Sequence, residues 1–340
     1  MENLKALWDK ADSLRGCLSH LRTIHGRRKE EGTEMSDGFT TDEIAILESK
    51  VWRKLADKTQ VFTQPSNRLI RTRQAHVHEV VAASVEASEK LGLNTNLVRA
   101  AAYGHDIGHV PFGHQGEAWM AREMKKPFCH EVMGPIIAQK IERRGRGLNL
   151  THETLEAMMR HSGNLVREGM SAEAWTLRYM DKVAYLFADI NDVGGRMHYP
   201  LSAEIMGIAN SFGDTQRRRK RTAISALTVE SAELGKVSFE ESELGCKFQK
   251  LRELMLEVYP RVTQQNVGEI MEPVLEFLIN LNLSKNSFML LALMTDSEAI
   301  KIASSNMRDM GIFNQTSLAE IVPYLWEIGE VDLCDPCLDW

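Results

Sequence analysis

QAHVHEVVAASVEASEKLGLNTNLVRAAAYGHDIGHVPFGHQGE (Gln74–Glu117) sets two helical patterns in front of a crowd of ionisable side chains. Val77, Val81 and Val85 recur at i, i+4 and i+8 with Val80 beside them, so Gln74–Leu91 reads as an amphipathic helix. Asn96 is placed to cap a second helix through Leu97, Val98, Ala101, Ala102 and His105. Pro111 stops it, because proline cannot continue a helix interior. The last fifteen residues, YGHDIGHVPFGHQGE (Tyr103–Glu117), hold three histidines, an aspartate and a glutamate among four glycines and one proline. A packed core has little use for such groups, since each buried polar atom costs free energy unless it finds a partner. A plain surface helix would carry Lys and Glu instead.

Outward from this stretch the patterns stay helical. Glu131–Arg143 puts Val132, Ile136, Ile137 and Ile141 roughly on one side, with Pro135 expected in the first turn. A further helix starts near Thr151 and ends at Gly163, and another runs from Ser171 to about Asp192, ahead of Gly194-Gly195. Strand signals are scarce, and there is neither an internal repeat nor a low-complexity tract. The expected fold is all-α, with an N-terminal helical and loop segment (1–48), a catalytic core (49–200) and a helical C-terminal region (201–340). Ile24–Ser36 is polar and is expected to form a loop.

The chain has 340 residues, of which 43% are hydrophobic and 26% charged, the balance of an ordinary globular protein. A net charge of −6 gives no global sign of a nucleic-acid binder, so an anion site has to come from local clustering. Arg53, Lys54, Lys58, Arg68, Arg71 and Arg73 form one such cluster; about half of them are expected simply to solvate helix faces. QRRRKR (Gln216–Arg221) is a second, read as a solvated face with a regulatory nucleotide, single-stranded DNA or an acidic partner surface as the functional alternatives. The first sixteen residues lack an apolar signal-peptide core, and the apolar run Phe288–Met294 is too short to span a bilayer. No membrane association and a cytoplasmic location are expected. Five cysteines suit reduced thiols. Cys334 and Cys337 are half a zinc site at best, and a frayed tail is the expectation there.

Eight of the eleven histidines fall between His76 and His161. One satisfied core histidine is commonplace; a cluster asks for another explanation. Adjacent His105 and Asp106 point about 100° apart on a helix and can share an ion lying between them, and His109 lies one turn further along. Imidazoles plus carboxylates make a mixed N/O site for Mg²⁺ or a divalent first-row metal. His76 can add a ligand from the preceding helix and Asp181 a carboxylate from a later one. Asp181, Tyr185 and Asp189 share one helix face, with Lys182 one position round.

Five ordered segments resemble the HD-domain superfamily, and within it the deoxynucleoside triphosphate triphosphohydrolases (dGTPase-like proteins). They are SKVWRKLADKTQVF (Ser49–Phe62), RTRQAH (Arg71–His76), GHDIGHVPFGHQGE (Gly104–Glu117), GLNLTHETLEAMMRHSG (Gly147–Gly163) and MDKVAYLFADINDV (Met180–Val193). The resemblance implies an HD-domain helical bundle and one divalent ion per subunit, Mg²⁺ or Mn²⁺, on His76, His105, Asp106 and Asp181. It implies a catalytic pair His114 and Glu117, with His109 and His130 lining the phosphates. It implies Arg73 and Lys182 on phosphate, and Gln60, Tyr185 and Asp189 on the deoxyribose. The family's Pro-Pro-Phe is Val110-Pro111-Phe112 here, and Ala188 stands where many bacterial relatives carry His. The implied activity is conversion of a dNTP, dGTP by default, to deoxynucleoside and triphosphate, by a homo-oligomer. The alternatives are an HD phosphohydrolase of nucleoside monophosphates, cyclic nucleotides or alarmones, and a non-catalytic nucleotide-binding HD protein.

Overall fold

A computed structural model describes residues 2–15, 26–29, 38–63, 65, 67, 69–263, 266–281, 286–305 and 310–338. Most of the Ile24–Ser36 segment and Arg68 lie outside them. Helices follow one another along the chain as α1 (Glu2–Ser13), α2 (Gly38–Glu48), α3 (Lys50–Lys54), α4 (Arg73–Leu91), α5 (Thr95–Gly104), α6 (Gly113–Met124), α7 (His130–Ile136), α8 (His152–Arg160) and α9 (Ala172–Asn191). They continue as α10 (Ala203–Ser211), α11 (Gln216–Leu234), α12 (Glu243–Val262), α13 (Gly268–Asn280), α14 (Ser287–Ala292), α15 (Asp296–Ser304) and α16 (Leu325–Ile328). Among the described residues there is no strand, only isolated bridges pairing Arg27 with Thr151 and Thr59 with Thr72. No helix among them is long and apolar enough to cross a membrane.

Helices α4 and α9 pack against each other and lie between two apolar clusters. Val77, Val80 and Val81 of α4 face the cluster that includes α5, α8 and α13–α15. Ala83, Ala87 and Leu91 of the same helix face the one built with α9 through α12. Both clusters draw on residues before and after position 200. β-Branched valine costs a helix up to about 0.7 kcal/mol of propensity. Full burial of each valine contributes about 1.5–3 kcal/mol, so packing wins and α4 holds.

Local signals set most helix starts. Thr72, Thr151 and Ser171 cap α4, α8 and α9 with side-chain oxygens that accept from the first-turn N–H groups. The cap of α5 is Asn94 rather than Asn96: its side chain accepts from both Asn96 N and Leu97 N. That helix stops at Gly104, so His105–Gly108 form a turn beyond it. Pro135 is the sixth residue of α7, not a first-turn residue, and a π turn (Ile137–Ile141) follows directly. Gly108 is required there, because a Cβ at that position would sit 2.1 Å from the carbonyl oxygen of His130. The turn after His105 and the start of α7 can therefore touch backbone to backbone.

Two charged segments differ from expectation. Lys54, Lys58 and Arg73 are buried, and only Arg53 of the described cluster is exposed. Lys54 and Lys58 donate to backbone carbonyls of Leu293 and of His109 and Ala292, joining the C-terminal helices to the core. QRRRKR forms the first turns of α11. Arg219 is buried on Gly213 O and Asn210, Arg218 pairs with Asp214, Lys220 with Glu79, and Arg221 lies over the Trp8 ring. The C-terminal tail is packed rather than frayed. Leu333 is buried, and Gln139 and Lys140 donate to the carbonyls of Pro336 and Asp335.

Candidate active site

One cavity of about 400 Å³ is lined by Gln60, Arg73, His76, Asp106, His109, His114, His130, Asp181, Lys182, Tyr185 and Asp189. These residues come from the segment before α4, from α4, from the turn after α5, and from α6, α7 and α9. The remaining two residues singled out in the sequence, His105 and Glu117, stand directly behind this lining. His105 Nε2 is 3.4 Å from Asp106, and Glu117 touches His109, His114 and His130.

Around His76 the structure gathers nitrogen and oxygen atoms able to hold a metal ion. His76 Nε2 lies 3.1 Å from Asp181 Oδ1 and 3.8 Å from Asp106 Oδ2. His105 Nδ1 faces Ala102 O at 2.7 Å, so its proton sits there and Nε2 presents a lone pair. That buried Nε2 has no hydrogen-bond partner. It lies 3.4 Å from Asp106 Oδ1 and 3.9 Å from Asp181 Oδ1. A lone pair aimed at two carboxylates in a dry site is repulsive unless a cation stands between them. The donor set therefore fits a divalent ion. Burial alone would protonate these acids. Instead, contacts with His105, Arg73 and His109 hold Asp106 well below the usual carboxylate range, the Arg73 guanidinium at 2.7 Å being the full positive charge among them, and His76 and His105 lower Asp181.

Arg73 is fully committed within the protein. Nη1 donates to Asp106 Oδ2 at 2.7 Å, while Nε and Nη2 donate to the carbonyls of Thr59 and Gln60 at 3.0 and 2.8 Å. Gln60 Oε1, in contrast, is buried without a partner at the cavity wall.

Glu117 organises the neighbouring histidines. Its Oε1 lies 2.7 Å from His109 Nδ1 and 2.9 Å from His130 Nδ1, and its Oε2 is 3.3 Å from His114 Nδ1. The His109 and His130 rings stack with centroids 3.7 Å apart, too close for both to be charged. The proton belongs on His130. Burial opposes it, but Glu117 and Glu131 outweigh burial and raise His130 to about 9, while burial, Arg73 and His130 push His109 down to about 3. His114 alone of this group is open to solvent, its side chain 69% exposed. It is the second residue of α6, directly after Phe112 and Gly113, both in left-handed backbone. Asp296 of α15 accepts from Phe112 N and Thr59 N, each at 2.9 Å, and so fixes this turn from behind.

Helix α9 supplies the other wall. Lys182 Nζ donates to Arg178 O at 3.0 Å, and burial together with the Arg178 charge lowers its pKa to about 7. Asp189 is fully buried: Arg71 and the Tyr259 hydroxyl, the latter at 2.8 Å, donate to its two oxygens. Burial raises it to about 7 against the pull of Arg71. Sequence reasoning gave no role to several lining residues: His161, Asn164, Arg178, Arg252, Leu256 and Tyr259. Arg252, Leu256 and Tyr259 share a face of α12 at i, i+4 and i+7, a spacing visible in the sequence but tied to no motif.

An all-α bundle with a buried His/Asp centre of this kind defines an HD-domain phosphohydrolase, and the HD domain family model matches residues 73–186. A deoxyguanosinetriphosphate triphosphohydrolase-like protein of Caldanaerobacter subterraneus subsp. tengcongensis is 33% identical over 242 residues, covering 70% of each chain. Proteins of the same description from Clostridium tetani and Clostridium perfringens are each 32% identical, over 67% and 76% of this chain and 68% and 79% of theirs. The chain belongs to this dGTP triphosphohydrolase-like family of HD-domain hydrolases.

Proposed function

We propose that this protein is a metal-dependent dNTP triphosphohydrolase, converting a dNTP and water to a deoxynucleoside and inorganic triphosphate. The observation that carries this reading is the lining of one cavity, which brings His76, Asp106 and Asp181, the basic side chains Lys182, Arg178 and Arg252, and the aromatic Tyr185 and Tyr259 around the same space. His76, His105, Asp106 and Asp181 would hold Mg²⁺ or Mn²⁺, which would supply Lewis-acid polarisation and lower the pKa of a bound water. His114, oriented by Glu117, handles the proton as water adds and the nucleoside 5′-oxygen departs. Protonated His130, Lys182 and His109 face the charge that shifts onto the triphosphate, and Arg73 adds positive charge to the wall while holding Asp106. dGTP, named in the relatives' description, is the first substrate to test. Assembly as a homo-oligomer, and regulation by a nucleotide or single-stranded DNA at the start of α11, belong to the same proposal. Purified protein is incubated with each dNTP and Mg²⁺ or Mn²⁺, and products are separated by ion exchange. Deoxynucleoside with intact triphosphate is expected; dNMP as the first product would sink the reading.

Tyr185 lies one helical turn from Asp181 and presents its ring to the cavity. In this reading the ring packs where a ribose 2′-hydroxyl would stand, with Gln60 and Asp189 toward the 3′-hydroxyl. Apolar contact alone discriminates an added hydroxyl by only about 10²-fold, so a fixed ring is needed for more. Tyr185→Ala is expected to raise kcat/KM for GTP relative to dGTP. Equal losses for both, tracking a lower Tm, assign the ring to packing instead.

Lys182 gives a pH signature. With its pKa near 7, the cation is the form present below that pH and is lost above it. The kcat/KM for dNTP, which reports the free enzyme, is expected to fall as pH rises through 7. Lys182→Arg keeps its charge at every pH and removes that limb. A limb unmoved in Lys182→Arg belongs to another group.

A further inference from the structure

Arg71 stands behind the cavity rather than in its lining, and its guanidinium meets three carboxylates. Nη2 donates to Asp189 Oδ1 on α9, Nε to Asp192 Oδ2 at 3.2 Å, and Nη1 to Glu79 Oε2 on α4 at 3.2 Å. Each acid has a further donor. The Tyr259 hydroxyl of α12 reaches Asp189 Oδ2 at 2.8 Å, Arg196 pairs with Asp192, and Lys220 of α11 donates to Glu79 Oε2 at 2.7 Å. The charges of Arg71, Arg196 and Lys220 balance those of the three acids, and Arg71 is the base that touches all three.

Of these acids, Asp189 is the one that borders the cavity. A carboxylate offers about four lone-pair sites on its two oxygens. Arg71 and Tyr259 take one on each oxygen of Asp189, and the others are left for a ligand hydroxyl. The rigid fork of the guanidinium fixes how that carboxylate is turned. It also sustains its charge. Burial raises Asp189 to about 7 even against the pull of Arg71, so without Arg71 the group would carry a proton at neutral pH and weaken as an acceptor. The network then runs outward to solvent, since the side chains of Lys220 and Glu79 are 17% and 29% exposed.

We infer that Arg71 is a positioning residue for the substrate: from behind the cavity wall it holds Asp189 as an acceptor for the sugar 3′-hydroxyl, and the Glu79–Lys220 pair holds Arg71 in place. This rests on the reading of Asp189 at the deoxyribose. The substrate feature selected through the network is a free 3′-hydroxyl, which a 2′,3′-dideoxynucleotide lacks.

The test compares dGTP with its 2′,3′-dideoxy analogue on the full chain, by kcat/KM with Mn²⁺ and by calorimetric Kd on chelator-treated protein, where turnover does not enter. Wild type is expected to favour dGTP by about 10- to 100-fold, the worth of one hydrogen bond to a charged group. Arg71→Leu is expected to lose most of that preference by weakening dGTP alone. It also strips a partner from three acids, so Lys220→Met is the variant that decides if Arg71→Leu fails to fold. Lys220→Met frees Glu79 to draw Arg71 away from Asp189, and a smaller loss of preference in the same direction is expected, with Tm near that of wild type. A preference kept at the wild-type value in the folded variants, or equal losses for both nucleotides, overturns the inference and leaves the proposed function standing. Equal handling of the two nucleotides by wild type removes Asp189 from the sugar and the inference with it. A Kd preference that the variants lose, in a protein without turnover, upholds the inference and overturns the triphosphohydrolase reading.

Discussion

Replacing Asp106 is expected to abolish dNTP turnover and to remove bound metal, the largest effect of any single change in this chain. Asp106 touches more of the site than any other side chain: Arg73 Nη1 at 2.7 Å, His109 Nε2 at 3.3 Å and His105 Nε2 at 3.4 Å. Loss of a residue that only orients a ligand costs about 10- to 100-fold in affinity or activity, and loss of a ligand itself should exceed this. Asp106→Ala also strands the Arg73 guanidinium, which is 1% exposed, and an unpaired buried charge costs about 3–5 kcal/mol. A fall in Tm would then confuse the result. Asp106→Asn keeps the shape and one acceptor, so the comparison to make is metal content, turnover and Tm in both variants. A folded Asp106→Asn protein with wild-type metal content and rate would falsify the assignment of Asp106 as a ligand.

His114→Ala is expected to lower kcat by about 10²- to 10⁴-fold, the range of a general acid–base, with metal content and Tm unchanged. The structural reason to expect a clean result is exposure. His114 is the open member of the histidine group, held only by Glu117 Oε2 at 3.3 Å, so its removal leaves no buried charge unpaired. Glu117→Gln is the contrasting variant. It removes the negative charge that keeps His130 protonated, and should disturb two buried imidazoles as well as His114. Steady-state kinetics separate the cases. A His114→Ala effect confined to KM would make His114 a binding group and leave the proton transfer without a named residue.

Helix existence was legible because its signals are local. Thr151 and Ser171 cap helices where the sequence places them, whereas α8 ends at Arg160, three residues before the expected stop at Gly163. The misplaced cap in LNTNLV has an equally local cause. Asn94 and Asn96 are both competent caps, and the choice falls to the one whose side chain reaches two free N–H groups. The π turn after Pro135 carries no comparable sequence mark.

The sequence by itself determined the order of motifs, and with it the family and the all-α fold, because caps and apolar periodicity are local, and residues four or eight apart on one helix, such as Asp181, Tyr185 and Asp189, share a face whatever surrounds them. Only the tertiary structure decided what each charge is for. In the sequence Arg73 looks like an open phosphate contact and Arg71 like one member of a basic cluster; in the fold, Arg71 is spent on Asp189 and Asp192 and Arg73 on Asp106. Lys58 and Asp296 tie the turn at His109 and Phe112 to the C-terminal helices across 237 residues of sequence separation at Thr59. His161, silent within its motif, stands 3.9 Å from Asp106. The physical reason is that a buried charge needs a partner, and that partner is chosen by packing, which brings together residues whose distance along the chain says nothing of their distance in space.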